Sequence, residues 1–155
     1  MKIIKAKLSD KKQVGAVLFE LLNIKSAKEG EREFIKETKK GHTYLLAKDK
    51  GKVVGLVTFL MHGRPMHGLA ELYHIVVLPD QRGSGAAQKL FDELEKEIKN
   101  EYKKAGGKLR KLFLMTRFSN ARAQKFYNKM GLKFEVKLKS HFYKGEDEYI
   151  FSKFY

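Results

Sequence analysis

The chain has no cysteine. A disulfide framework, a thiolate metal site and a cysteine nucleophile are therefore excluded, and a reducing compartment is the natural setting. Proline occurs only at Pro65 and Pro79, and no linker, low-complexity tract or internal repeat divides the 155 residues, so a single domain over 1–155 is expected. No apolar run approaches the ~20 residues that cross a bilayer. The opening Met1-Lys2-Ile3-Ile4-Lys5 has no apolar centre of the signal-peptide kind, so a cytoplasmic location without a membrane partner is expected. Acidic residues are scarce: 18 against 33 basic ones, a formal net charge of +15. Of those 33, 27 are lysines, scattered rather than blocked. No zinc-finger spacing, leucine heptad or aromatic RNA-binding signature accompanies them, which argues against dedicated nucleic-acid binding. No histidine spacing makes a metal pair.

Hydrophobic residues make up 43% of the chain, enough for a real core. Periodicity and turn chemistry predict the order β-α-α-β-β-β-α-β-α-β-β. Residues 1–7 read as a strand, and Ser9-Asp10 as the cap of a helix carrying Val14, Val17, Leu18, Leu21 and Leu22. Residues 29–40 read as a polar helix stopped by Gly41. Strands at 43–48 and 53–61 flank Asp49-Lys50-Gly51-Lys52, which is hairpin chemistry. A histidine-rich turn at 62–68 leads into a strand at 69–78, nearly all apolar after Glu71 and so expected to be buried on both faces. Ala86, Ala87, Leu90, Leu94 and Ile98 mark a helix running to about residue 104 and ended by Gly106-Gly107. A strand at 111–116, a helix at 120–130 ended by Gly131, and an antiparallel pair at 132–138 and 148–154 complete the chain. The fold class expected is mixed α/β: a sheet of six to seven strands, mostly antiparallel with a parallel central pair, flanked by about four helices.

Two segments carry chemistry. The first runs from a buried strand through Pro79-Asp80-Gln81-Arg82-Gly83-Ser84-Gly85-Ala86-Ala87 into a helix. The first N–H groups of a helix lack intrahelical partners, and the helix dipole favours an anion there. Glycine lets the backbone approach that anion closely, and Arg82 adds a charged donor. Neither the triphosphatase loop nor the dinucleotide fingerprint is present. Alone, the turn could equally be plain strand-to-helix geometry. The second segment, 120–132, opens with Asn120 or Ser119 as cap and sets Asn120, Ala123, Gln124 and Tyr127 on one helical stripe.

Together these segments resemble the GNAT-type N-acetyltransferase superfamily. Arg82-Gly83-Ser84-Gly85-Ala86-Ala87 is similar to its acyl-CoA motif, Q/R-x-x-G-x-G/A. Asn120, Ala123, Tyr127 and Gly131 match its N-x-x-A-x-x-x-Y-x-x-x-G segment, and the element order is similar over nearly the whole chain. The resemblance implies the acyl-CoA N-acyltransferase fold, with the parallel pair splayed. It implies that pantetheine pairs with strand backbone at Ile75, Val76 and Val77. The pyrophosphate would sit on Arg82, Gly83, Ser84, Gly85, Ala86 and Ala87, with Gln81 beside them. Asn120 and Ala123 would contact the cofactor, and Arg122, Lys125 or Lys129 would meet the 3′-phosphate.

The implied reaction is direct transfer from acetyl-CoA to an amine, with no covalent intermediate and no metal. Tyr127 matches the family's general acid for the departing thiolate. A backbone N–H such as Val77's would polarise the thioester carbonyl. For the base, Glu71 shares a strand face with Tyr73, Ile75 and Val77 and would act through a water chain, although a strand-end salt bridge accounts for it equally. His74 lies on the opposite face and reads as a packing histidine. His62 and His67 flank the turn near the acceptor side.

Ribosomal-protein acetyltransferases of this superfamily carry a glutamate where Met115 stands here, which weakens an N-terminal peptide acceptor. The surplus of positive charge disfavours a polycationic acceptor. A neutral or acidic molecule bearing one amine suits it better. Two other readings stay open: a non-catalytic acyl-CoA-binding regulatory domain, and a basic RNA- or ribosome-associated protein. The superfamily often forms homodimers through its C-terminal strands. Phe151, Phe154 and Tyr155 would serve that pairing or cover the domain's own core.

Overall fold

The computed structural model describes residues 1–21 and 23–155. Its elements are β1 (Lys2–Lys5), α1 (Lys11–Leu18), α2 (Ala27–Lys39), β2 (Thr43–Asp49), β3 (Lys52–His62), β4 (Leu69–Val77), α3 (Ala86–Lys104), β5 (Lys111–Arg117), α4 (Ala121–Lys129), β6 (Lys133–Tyr143) and β7 (Glu146–Phe154), with short 3-10 turns at Leu8–Asp10, Pro65–His67 and Pro79–Gln81. The seven strands follow the order β1-β2-β3-β4-β5-β7-β6. β4 and β5 are parallel, while β1–β2, β2–β3, β5–β7 and β6–β7 are antiparallel. A parallel pair needs a crossover, and α3 supplies it. This is the acyl-CoA N-acyltransferase fold that the motifs implied.

Two compact units divide the chain, one of residues 1–61 and 74–98, the other of residues 62–73 and 99–155. In the first, α1 and α2 bury Val14, Val17, Leu18 and Phe34 in a core with Tyr44, Leu46, Leu56 and Val76. The two helices approach closely because both present glycine: a Cβ on Gly30 would lie 2.4 Å from the Gly15 carbonyl oxygen. Ser26 caps α2 by accepting from the Glu29 N–H at 3.0 Å. The β2–β3 hairpin turns through Lys50 and Gly51, both at positive φ (47° and 79°), the geometry of a two-residue hairpin loop. In the second unit, Leu112, Leu114, Leu132 and Phe151 are buried. Tyr102 near the end of α3 donates to the Leu69 carbonyl at 2.5 Å.

Three expectations change. α1 starts at Lys11 with Asp10 of the expected Ser9-Asp10 pair at its N-cap position, but the Asp10 side chain does not cap the helix: it accepts from the Lys7 N–H at 2.8 Å, closing a 3-10 turn first. The helix ends at Leu18; Leu21 follows in a turn against the core, and Leu22 lies outside the described residues. β4 is not buried on both faces, since Tyr73 is 47% exposed. Apolar residue types on both faces concealed an alternation in which Leu72 and Val76 are buried and the Tyr73 side opens to solvent.

Candidate active site

In the first unit β4 delivers the glycine turn. Leu78 N–H donates to the Val54 carbonyl at 2.9 Å, tying the end of β4 to β3. Close packing of that region demands Gly55, whose Cβ would lie 2.9 Å from the Val76 oxygen. Pro79 then starts the 3-10 turn, and the chain reverses through Gly83 (φ 81°) and Gly85 (φ 84°). Nothing lies within 4 Å of a Cβ built on either glycine, so backbone conformation rather than crowding requires glycine there.

The turn spends some of its own donors. Arg82 N–H donates to the Pro79 carbonyl and Ser84 N–H to the Gln81 carbonyl, both at 3.3 Å. The Ser84 hydroxyl donates to the Gln81 carbonyl at 2.6 Å and accepts from Ala86 N–H at 3.3 Å. Among the described residues the N–H groups of Gly83 and Gly85 have no acceptor. Arg82 and Ser84 thus brace the loop with their own N–H groups. Ile75 and Val77 are half-buried and Val76 is buried.

Below β4, on the Leu72–Val76 side, His74 Nε2 lies 2.9 Å from Glu37 Oε1, and its backbone N–H donates to Thr58 Oγ1 at 3.0 Å. Tyr44 donates its hydroxyl to the same Glu37. His74 is a packed, partnered histidine, as its face predicted. Burial pushes the Glu37 carboxyl up, but the hydrogen bond and charge of His74, the Tyr44 hydroxyl and His42 outweigh it, and its pKa is lowered.

In the second unit α4 is capped by Asn120, whose Oδ1 accepts from Ala123 N–H at 3.2 Å. Gln124 donates to the carbonyls of Arg117 and Phe118 at 3.1 and 2.8 Å, fastening the end of β5 to α4. The stripe therefore divides its labour, with Asn120 and Gln124 building the turn and the Tyr127 ring packing among aromatics. Tyr127 is 8% exposed, with its ring against Phe126 and Phe151. Burial pushes its phenol up to about 12. No hydrogen bond among the described residues engages it. It is a protonated phenol at neutral pH, the state a proton donor requires. Arg122, Lys125 and Lys129 are exposed on the same helix.

Glu71, also in this unit, is buried at 6% exposure, and its Oε2 lies 2.8 Å from His62 Nε2. A side-chain partner of the kind considered for Glu71 exists, and it is a histidine. Residue spacing could not reveal it, because the two are joined across the turn 62–68. A second carboxyl went unnoticed altogether: Glu148 on β7 is 4% exposed, and burial pushes its pKa up, with Glu146 adding to the rise and Arg117 opposing it. Alternation within Glu146-Asp147-Glu148 was the only available signal. No group of three or more His, Asp or Glu among the described residues could hold a metal ion. No described helix is long and apolar enough to cross a membrane.

A strand–glycine turn–helix unit flanked by a parallel strand, on this sheet, defines an N-acyltransferase-type protein. The chain belongs to the GNAT acetyltransferase family, whose sequence model matches residues 15–132. Among solved structures it is similar to smu.2055 of Streptococcus mutans, at 26% identity and TM-score 0.80 with 99% of each chain covered. It is similar to the ribosomal-protein-alanine N-acetyltransferase of Brucella melitensis, at 19% identity and TM-score 0.77 with 100% of each chain covered. It is also similar to an aminoglycoside 6′-N-acetyltransferase complexed with coenzyme A, at 17% identity and TM-score 0.80, covering 99% of this chain and 97% of that one. No curated protein sequence matches it.

Proposed function

We propose that the chain, as one catalytic domain over residues 1–155, is an acetyl-CoA-dependent N-acetyltransferase acting on a primary amine of a small molecule or protein. Family membership supports the class. The observation that carries the catalytic reading is Tyr127, a nearly buried phenol held protonated and engaged by no hydrogen bond among the described residues.

In this reading the N–H groups of Gly83 and Gly85 take the pyrophosphate, with Arg82 as a charged donor and Gln81, Ser84, Ala86 and Ala87 shaping the loop. The backbone at Ile75, Val76 and Val77 holds pantetheine, and Asn120 and Ala123 contribute from the capped start of α4. Acetyl-CoA supplies the thioester. Through a water chain Glu71 accepts a proton from the ammonium, whose reference pKa of ~10.4 keeps it protonated at neutral pH. Once neutral, the amine attacks the carbonyl carbon, the C–S bond breaks, and Tyr127 protonates the departing thiolate. The acceptor is a neutral or acidic molecule with one amine. The aminoglycoside and ribosomal-protein enzymes among the similar structures show the fold, and Met115 marks this chain's departure from the latter pattern. Acetyl-CoA hydrolysis followed as free thiol, with and without a panel of such amines, tests the reading. Amine-dependent release supports it. Tight CoA binding with no release for any amine would leave a non-catalytic CoA-binding domain.

A further inference from the structure

We propose that His62 positions Glu71 as the base, an inference that rests on the reading of Glu71 given above. β3 ends at His62, and its Nε2 lies 2.8 Å from Glu71 Oε2. The carboxylate is the buried member of the pair; the imidazole is the more exposed, with 36% of its side chain accessible against 8%. The imidazole packs on Phe113, at 5.5 Å between ring centroids and 40° between planes. Phe113 is also the residue opposite Glu71 in the parallel β4–β5 register. One aromatic ring thus backs the imidazole from the strand position facing the carboxylate.

The turn beyond His62 is braced rather than loose. Gly63 has φ 66°, and a Cβ there would lie 2.4 Å from His67 Nδ1. That nitrogen accepts from the Arg64 N–H at 2.9 Å. The Gly68 carbonyl accepts from the N–H groups of Arg110 and Lys111 at 2.8 and 3.0 Å. His62 is therefore held at the end of a fixed loop.

The chemistry follows from one occupied oxygen. A carboxylate opposite Nε2 selects the tautomer carrying a proton there, so Nε2–H donates to Oε2. Oε1 has no hydrogen bond among the described residues and is the oxygen offered to the amine. In the transfer the ammonium N–H bond breaks, a water chain relays the proton so that the Oε1–H bond forms, and the freed electron pair on nitrogen attacks the acetyl carbonyl. His62 keeps its own proton throughout. Its contribution is to hold a carboxyl group that would otherwise turn, and misplacement of a reacting group by about 1 Å can cost ~10²-fold in rate.

The test measures kcat and both KM values for His62→Ala, His62→Gln, Glu71→Gln and the double variant His62→Ala/Glu71→Gln. His62→Ala should lose about ten- to a hundredfold in kcat with the acetyl-CoA KM unchanged. His62→Gln should stay within about threefold of wild type, because its amide N–H replaces the imidazole N–H. In the Glu71→Gln background, His62→Ala should cost nothing further. A wild-type rate for His62→Ala, a Gln variant as slow as the Ala variant, or additive losses in the double variant would each overturn the proposal. Should His62→Ala fail to fold, a slow, well-folded His62→Gln overturns it by itself. Wild-type enzyme inactive towards every amine would refute the functional reading and this proposal with it. An active wild type with an unaffected Glu71→Gln would refute the base and its positioning alone.

Discussion

Tyr127, proposed above as the acid, sits in a largely buried environment. A phenol has a reference pKa of ~10 anywhere on a surface. Burial against Phe126 and Phe151 pushes this one up to about 12, so it stays protonated across the working range. Tyr127→Phe should lower kcat on the order of 10²-fold while coenzyme A affinity holds, as measured by steady-state kinetics and calorimetry. Unchanged kcat would reduce Tyr127 to packing. Gly85→Val should act in the opposite compartment of the kinetics. It places a β-branched residue at φ 84° and encroaches on the free N–H, so coenzyme A binding should weaken about tenfold or more. At this scale the sequence was readable where a residue type recurs at a fixed spacing, as at Gly83, Gly85, Asn120 and Tyr127, the residues on which the proposed function rests. It was silent on His62 and Glu71, which meet through a braced turn, and on Glu148, whose burial depends on strands far apart in the chain.

Among the elements, those with punctuation were legible. Gly41, Pro79, Gly106-Gly107 and Gly131 end their segments where the structure does, and α3 begins and ends within a residue of its expected limits. The start of α1 was less so, since Asp10 serves a 3-10 turn before the helix. β6 runs on to Tyr143, five residues past its apolar stretch, through irregular pairing between Leu138 and Tyr143 and a positive φ of 45° at Ser140. The α1–α2 contact was invisible, because glycine at residues 15 and 30 reads as poor helix propensity. Their value lies in approach. Gly30→Ala would gain about 1 kcal/mol of propensity in an isolated helix. Here its Cβ would meet the Gly15 backbone at 2.4 Å, so thermal melting should show net destabilisation, by several degrees. A raised melting temperature would show that the helices can separate without cost.

For the whole molecule, two buried carboxyls pull stability in opposite directions with pH. Glu37 has a lowered pKa. Its contribution is complete above the ordinary carboxylate range and fades as pH falls through the folded value, so Glu37→Gln should flatten the acid limb of a urea-midpoint profile between pH 5 and 3. Glu148 has a raised pKa, so ionising it costs stability once pH rises through the carboxylate range. Glu148→Gln should be more stable than wild type near pH 7, and that advantage should vanish in acid. In the proposed function only a few charges of the net +15 would meet the cofactor, Arg82 in the turn and the exposed basic residues on α4, and the rest would bear on the choice of acceptor. The central claim is amine acetylation, and the most direct measurement is thiol release from acetyl-CoA by the purified chain with a panel of mono-amines. Release should depend on the amine and collapse in Tyr127→Phe. Release absent for every amine, from a chain that binds coenzyme A, would contradict it.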